Sequence, residues 1–204
     1  MFNLTKEELS ILKRLKKAST IQDFISKIPI NYDDEKDTCL SPREVLKQKK
    51  AHCIEGAMLA ALALRINGHK PLIVDLTATD DDFDHVIAVF KEEGRWGAIS
   101  KSNHAVLRYR EPVYKSIREL VMSYFHEYFD DKGKKNLRSY SNPVDLSIFD
   151  KKEWITSNKD VWFVPEHLVK IKHHKILNKK QISSLRRAED IEILSGKNVE
   201  WKKD

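Results

Sequence analysis

The stretch "KKAHCIEGAMLAALALRINGHKPLIVDL", Lys49 to Leu76, sets one cysteine at the mouth of an alanine- and leucine-rich run. Good helix formers fill Ile54 to Ile66, and Asn67-Gly68 supplies a left-handed stop. After Pro71, "LIVDLTA" reads as a buried strand, short, apolar and β-branched. Cys53 is therefore expected in the first turn of a buried helix that runs straight on into a sheet. Two readings of such a cysteine compete: a small core residue, or a nucleophile. The unpaired N–H groups and the positive end of a helix favour a thiolate, and a nearby imidazolium lowers its pKa further.

Working outward, "HVIAVF" and "RWGAIS" read as two more strands, joined through "KEEG" as an antiparallel hairpin. Upstream, Thr5 with Glu8 forms a capping box before Leu9, Leu12 and Leu15 at helical spacing. Ser19 with Gln22 repeats the device for a second helix ending near Pro29. These two helices are expected to cover the unit that carries the site. After a polar loop, Ser41, Pro42 and Glu44 start a third helix that runs to about Lys50. Downstream, a long helix is expected from Lys115 to Phe129, with Ile117, Leu120, Val121, Tyr124, Phe125 and Tyr128 as its apolar stripe. Beyond Gly133, "NLRSYS" and "DVWFVP" read as short strands and the final segment as a helix with a polar end. The fold class is α+β, with the Cys53 helix packed on an antiparallel sheet. Residues 1–150 are read as one domain with an N-terminal helical part, and 151–204 as a basic extension packed on the same domain.

Composition narrows the function. With 204 residues, 41% of them hydrophobic, the chain can bury a proper core. The amino-terminal "MFNLTKEELSILKRLKKA" lacks the apolar and cleavage regions of a signal peptide, and no apolar run is long enough to span a membrane. A cytoplasmic location is expected, with Cys39 and Cys53 kept as thiols; a redox pairing of the two would disable the nucleophile. The formal charge of +6 is spread among acidic residues. The most basic segment, "HLVKIKHHKILNKKQISSLRRAED", lacks the aromatic interleaving of a single-strand binder, so a solvated helical face is preferred to nucleic-acid binding. His52, His69, His85, His104 and the two cysteines form no close chelating pair, so no metal is expected. There is no glycine-rich nucleotide loop and no G-x-S-x-G, and no cofactor is expected.

The partner for Cys53 is sought on the hairpin. His85 opens a strand directly after the acidic turn "TDDDFD", and reading across the hairpin leads to Ser100 at the end of "RWGAIS". The order of "HCIEGAMLAALALRINGHKP", "DHVIAVF" and "RWGAIS", over Ser41 to Asn103, resembles the transglutaminase-like superfamily of papain-like thiol enzymes. That resemblance implies Cys53 as nucleophile and His85 as general base and acid. It also implies thiol-dependent chemistry on an amide or peptide bond of a peptide or protein substrate. The family's third residue is usually an aspartate in a W-x-x-x-D pattern; here Trp96 is followed by Ser100. A neutral acceptor can fix an imidazole tautomer but cannot balance an imidazolium as a carboxylate does. Asn103 is an alternative orienter, and Asp82 and Asp84 are others, although neighbours on a strand point to opposite faces.

His52 is set aside as a base because adjacent side chains at a helix start diverge. Glu55 is read as a surface acid favoured by the helix dipole. Arg108, Arg110 and Arg118 suit either an acidic substrate or structural pairs with Glu111 and Glu119. Two other classes stay open: a pseudoenzyme holding a peptide by Cys53, and a basic interaction module built on the tail from His167.

Overall fold

The computed structural model describes residues 2–32 and 37–201. Residues 33–36 of the expected polar loop and 202–204 of the polar end lie outside the described residues. The elements in chain order are α1 (Lys6–Arg14), α2 (Ala18–Ser26), α3 (Pro42–Gln48), α4 (Cys53–Ile66), β1 (Leu72–Thr77), β2 (His85–Glu92), β3 (Arg95–Ile99), β4 (Arg110–Tyr114), α5 (Ile117–Phe125), β5 (Ser139–Ser141), β6 (Val144–Asp145), α6 (Phe163–Lys170), β7 (His173–Lys175), α7 (Lys179–Ser183) and α8 (Asp190–Gly196). The strands form one seven-stranded sheet in the order β4-β3-β2-β1-β5-β7, with β6 also on β1, and the pairings are antiparallel. This is the expected α+β architecture.

The first and third helices open as their caps dictate, whereas α2 starts at Ala18 after Lys17, so that Ser19 lies inside it and the Gln22 side chain, expected in a capping box, turns to Ser100 instead. The Thr5 amide donates to Glu8 Oε2 at 2.7 Å and the Glu8 amide to Thr5 Oγ1 at 3.1 Å, which satisfies two N–H groups that the first turn of α1 leaves over. Ser41 Oγ caps α3 with Pro42 behind it, and Lys49 ends that helix in the left-handed region. The hairpin between β2 and β3 closes through Glu93 and Gly94, both at positive φ, a two-residue turn whose twist suits the strands on either side.

α4 is the centre of the molecule. Residues Ala57 to Leu64 are buried all round, which is why this helix shows no polar face. It packs against β2 on one side and against α1, α2 and α3 on the others. Period-two alternation divides the sheet between two cores: Ile73, Val86, Ala88, Phe90 and Ile99 face α4, whereas Val74, Leu76, Ile87, Val89 and Ala98 face Leu120, Val121, Tyr124 and Phe125 of α5. Gly56, one turn into α4, is where the helix crosses the chain just after β3. A Cβ there would collide with Lys101 Cβ, so the glycine sets how closely the start of the helix approaches Ser100 and Lys101.

Three expectations change in the C-terminal half. "DVWFVP" is not a strand: the Val161 amide pairs with Cys39 O at 2.8 Å, and α6 starts at Phe163. Val164 and Leu168 are buried at helical spacing, and Pro165 falls in the first turn, where no intrahelical N–H is needed. α5 stops at Phe125, short of Phe129, because the chain leaves it to bring the Tyr128 hydroxyl to Phe83 O at 2.5 Å and to bridge Phe129 to Lys135. The final segment is not one helix but β7, α7 and α8. β7 pairs with β5, and α7 and α8 each begin at their own cap, Asn178 and Glu189. Among the described residues, no helix is long and apolar enough to cross a membrane.

Candidate active site

Cys53 is the first residue of α4, half-buried, and it lines a cavity of about 640 Å³. Two imidazoles reach its sulfur, His85 from the start of β2 and His52 from the position just before the helix. Burial alone would push the thiol up, but hydrogen bonds from His52 and His85, and the charge of both rings, outweigh it and bring Cys53 well below the usual thiol range. Cys39 takes the opposite course. It is fully buried, and burial with the nearby Glu55 and Asp160 carboxylates pushes its thiol up, leaving an inert core residue.

On the sheet side, His85 Nε2 lies 2.7 Å from Ser100 Oγ, and the Ser100 hydroxyl donates to Leu107 O at 2.7 Å. A carbonyl only accepts, so the hydroxyl hydrogen is committed to Leu107 and Oγ must accept from Nε2–H. That fixes the tautomer and leaves Nδ1 as the nitrogen toward the thiol. Ser100 is itself clamped from α2: its amide donates to Gln22 Oε1 at 2.9 Å, and Gln22 Nε2 donates to its carbonyl at 3.0 Å. α2 thus holds Ser100 in place against His85.

The helix side is built differently. His52 precedes α4 in extended backbone, so its ring is not splayed away as a helical neighbour's would be, and it turns onto the sulfur of the next residue. Its Nε2 lies 2.7 Å from Thr38 O and 3.3 Å from Glu55 Oε1. Glu55 is completely buried, and its carboxylate accepts from Thr38 Oγ1 (2.7 Å), the Leu40 amide (2.8 Å), the His52 amide (2.9 Å) and Asn31 Nδ2 (3.1 Å). Burial works against a charged His52, but the hydrogen bond and charge of Cys53, then the Glu55 carboxylate and the Thr38 carbonyl, raise it above the usual imidazole range.

Of the residues singled out in the sequence, the structure brings Cys53, His85 and Ser100 together. Asn103 lines the same cavity, but its amide is taken by the C-terminal segment: the Trp201 amide donates to Asn103 Oδ1 at 2.8 Å, and Asn103 Nδ2 donates to Trp201 O at 3.1 Å. Asp84 accepts from the Ala78 amide (2.8 Å) and Asp82 from Asn136 Nδ2 (3.0 Å). His52 and Glu55 correct the sequence reading outright: the one touches the thiol, and the other is buried rather than on the surface. Arg108 and Arg110 are spent on Glu200 (2.6 Å) and Glu127 (2.5 Å), not on the acids expected. Among the described residues, no three of His, Cys, Asp or Glu converge as metal ligands.

With this geometry the comparison with known families is decisive. A model of the transglutaminase-like domain matches residues 3–107, just over half of the chain. The chain belongs to that family. The match spans Cys53, His85 and Ser100 and both helices that hold them, so the α+β fold is a transglutaminase-like one. A search of curated proteins found no match. Beyond residue 107 the chain adds its own cavity wall to the transglutaminase-like core: Glu127 to Asp131 after α5, and Ile193, Gly196 and Lys197 of the C-terminal segment.

Proposed function

We propose that this transglutaminase-like protein is a thiol-dependent enzyme acting on an amide or peptide bond of a peptide or protein segment. The observation that carries this reading is the half-buried Cys53, held between two imidazoles at a helix start and open to a cavity. Sγ attacks the carbonyl carbon, and the charge passes to the carbonyl oxygen. The Cys53 amide, at the first helical position and so without an intrahelical acceptor, is placed to donate to that oxyanion. Collapse breaks the C–N bond, and the amine leaves with the proton that His85 Nδ1 took from the thiol. Water, giving a proton to His85, then attacks the thioester carbon, and Sγ departs as thiolate. Hydrolysis is favoured over transfer because water is always at hand. Two cysteines without a disulfide suit the cytoplasm, where we place the protein.

The charge of the cavity selects the substrate. Asp37, Asp82, Asp84, Asp130 and Asp131 line it together with Glu127, which is paired with Arg110 at 2.5 Å, against two lysines, one of which, Lys101, is paired with Glu200 at 2.8 Å. In a chain of net charge +6, this concentration of carboxylates around the thiol draws a cationic segment.

Exposure of the native protein to p-nitrophenyl acetate, followed by intact-mass measurement and peptide mapping, tests the reading. A transient acetyl group on Cys53 is expected, absent from Cys53→Ser and formed more slowly with a lysine-rich peptide present than with a glutamate-rich one. If Cys53 stays unmodified in the folded protein while unfolded thiols acylate normally, the pseudoenzyme reading replaces this one.

A further inference from the structure

We infer that His52, braced by Glu55, is the standing cation of the site, holding the Cys53 thiolate while His85 alone gains and loses the proton of the reaction. The inference rests on the acyl chemistry proposed above and assigns the two imidazoles separate duties.

The difference lies in what stands behind each ring. Behind His85 is a neutral hydroxyl whose hydrogen is already given to Leu107 O, so nothing on that side balances a permanent positive charge. Behind His52 is Glu55, a carboxylate with no exposure to water. Its other donors, Thr38, Leu40 and Asn31, are uncharged, and among the described residues His52 is the cation within ion-pair distance. A buried carboxylate without a cation is costly, so the charge of Glu55 and that of His52 support each other. Thr38 O and Glu55 Oε1 both face Nε2 and require hydrogen there, which leaves Nδ1 for the hydrogen bond to Cys53.

The consequence is chemical. The thiolate regenerated when water cleaves the thioester finds its counter-ion already in place, whichever state His85 is in. His85 can then protonate the leaving amine and deprotonate water without giving up the resting nucleophile. The carboxylate missing from the third strand is thereby offset by one on the nucleophile helix, acting through the other imidazole. His52 touches the reacting sulfur and is catalytic; Glu55 acts through it and is a positioning residue.

The titratable groups around the His52–Cys53 pair are Glu55 on α4, Cys39 before α3, Asp75 on β1, His85 on β2, Tyr128 after α5, and Asp37, Asp82 and Asp84, which line the same cavity. Of these only His85 can share the role of cation, so the experiment has two candidates to separate. The pH dependence of Cys53 alkylation by iodoacetamide, located by peptide mapping, is measured in the native protein, His52→Ala and His85→Ala. No substrate is needed. Because Cys53 is depressed, the native profile keeps its thiolate as pH falls below the free-thiol range. His52→Ala should lose that low-pH reactivity, more than about tenfold at pH 6, and His85→Ala should keep most of it.

The reverse, loss in His85→Ala and retention in His52→Ala, overturns the inference and leaves the acyl chemistry standing. A native profile like that of a free thiol overturns both. The ring ¹⁵N shifts of the unmutated protein separate the same two candidates without a variant. At neutral pH His52 should show both nitrogens protonated, and a singly protonated His52 overturns the inference.

Discussion

The two flanks of Cys53 reach it by opposite constructions. The sheet flank joins two residues 15 apart in sequence, His85 at the start of β2 and Ser100 just after β3, and its last member is a neutral hydroxyl locked onto a carbonyl. The helix flank, His52 and Glu55, is local, three residues from end to end, yet its charge is satisfied by a loop residue 17 positions away and by Asn31, 24 away. The sheet flank therefore has geometry without charge, and the helix flank has charge that long-range contacts make tolerable. A site so divided can lose an acid from the usual place without losing a stabilised thiolate.

The largest effect that would break this comparison is on stability. Glu55→Ala strips the acceptor from four donors and leaves His52 as a buried cation without its partner. Removing one member of a buried pair costs roughly 3–5 kcal/mol. Urea unfolding at pH 7 should show a loss of that size, against about 2 kcal/mol for Ser100→Ala, where one neutral hydrogen bond each to His85 and Leu107 is given up. Equal losses would mean that the two flanks are not different in kind.

Gly56→Ala comes next and sharpens the distinction. The added methyl collides with Lys101 Cβ, whose side chain is pinned by its ammonium to Ile28 O at 2.5 Å and to Glu200, so it cannot swing away cheaply. Overpacking of this kind costs about 1–3 kcal/mol. The start of α4 should move off the segment after β3, carrying Cys53 away from His85 while His52 and Glu55 travel with the helix. Thioester formation should slow more than iodoacetamide alkylation does; a parallel fall in both would place the thiolate's support on the sheet side after all.

Much of this is legible in the sequence, and the reason is spacing. A cysteine opening an alanine-rich run and a histidine opening the next-but-one element are local facts that, with the family resemblance for the residue four after Trp96, point to Cys53, His85 and Ser100, which the structure brings together on the expected helix and hairpin. A rule for helix interiors misjudges His52, which stands just outside the helix, in extended backbone that lets its ring turn onto the next residue. A dipole argument misjudges Glu55 because it sees only the helix, whereas the residues that bury it, Asn31, Thr38 and Leu40, come from an irregular loop with no periodicity to read. Gly56 is the available signal: a glycine inside a run of strong helix formers is costly and points to a close approach. The cavity wall from 127–131 and 193–197 depends on where the chain returns after α5 and in α8, which no local pattern encodes.

The smallest expected effect is also the most discriminating, and it concerns restoring the usual acid. Ser100→Asp puts a carboxylate where the hydroxyl now donates to Leu107 O at 2.7 Å. An ionised carboxylate cannot donate, so one oxygen would face that carbonyl, while Gln22 holds the backbone on both sides and prevents retreat. If the cation of the site is already supplied by His52 and Glu55, the new charge has little to balance and its burial goes uncompensated. The alkylation profile of Cys53 should then stay where it is, to within about 0.3 pH units. Acylation by p-nitrophenyl acetate should not rise, and the protein should lose about 1–2 kcal/mol of stability. A faster acylation together with a lower thiol pKa would show that the sheet flank was waiting for its carboxylate, and that the helix flank does not do its work.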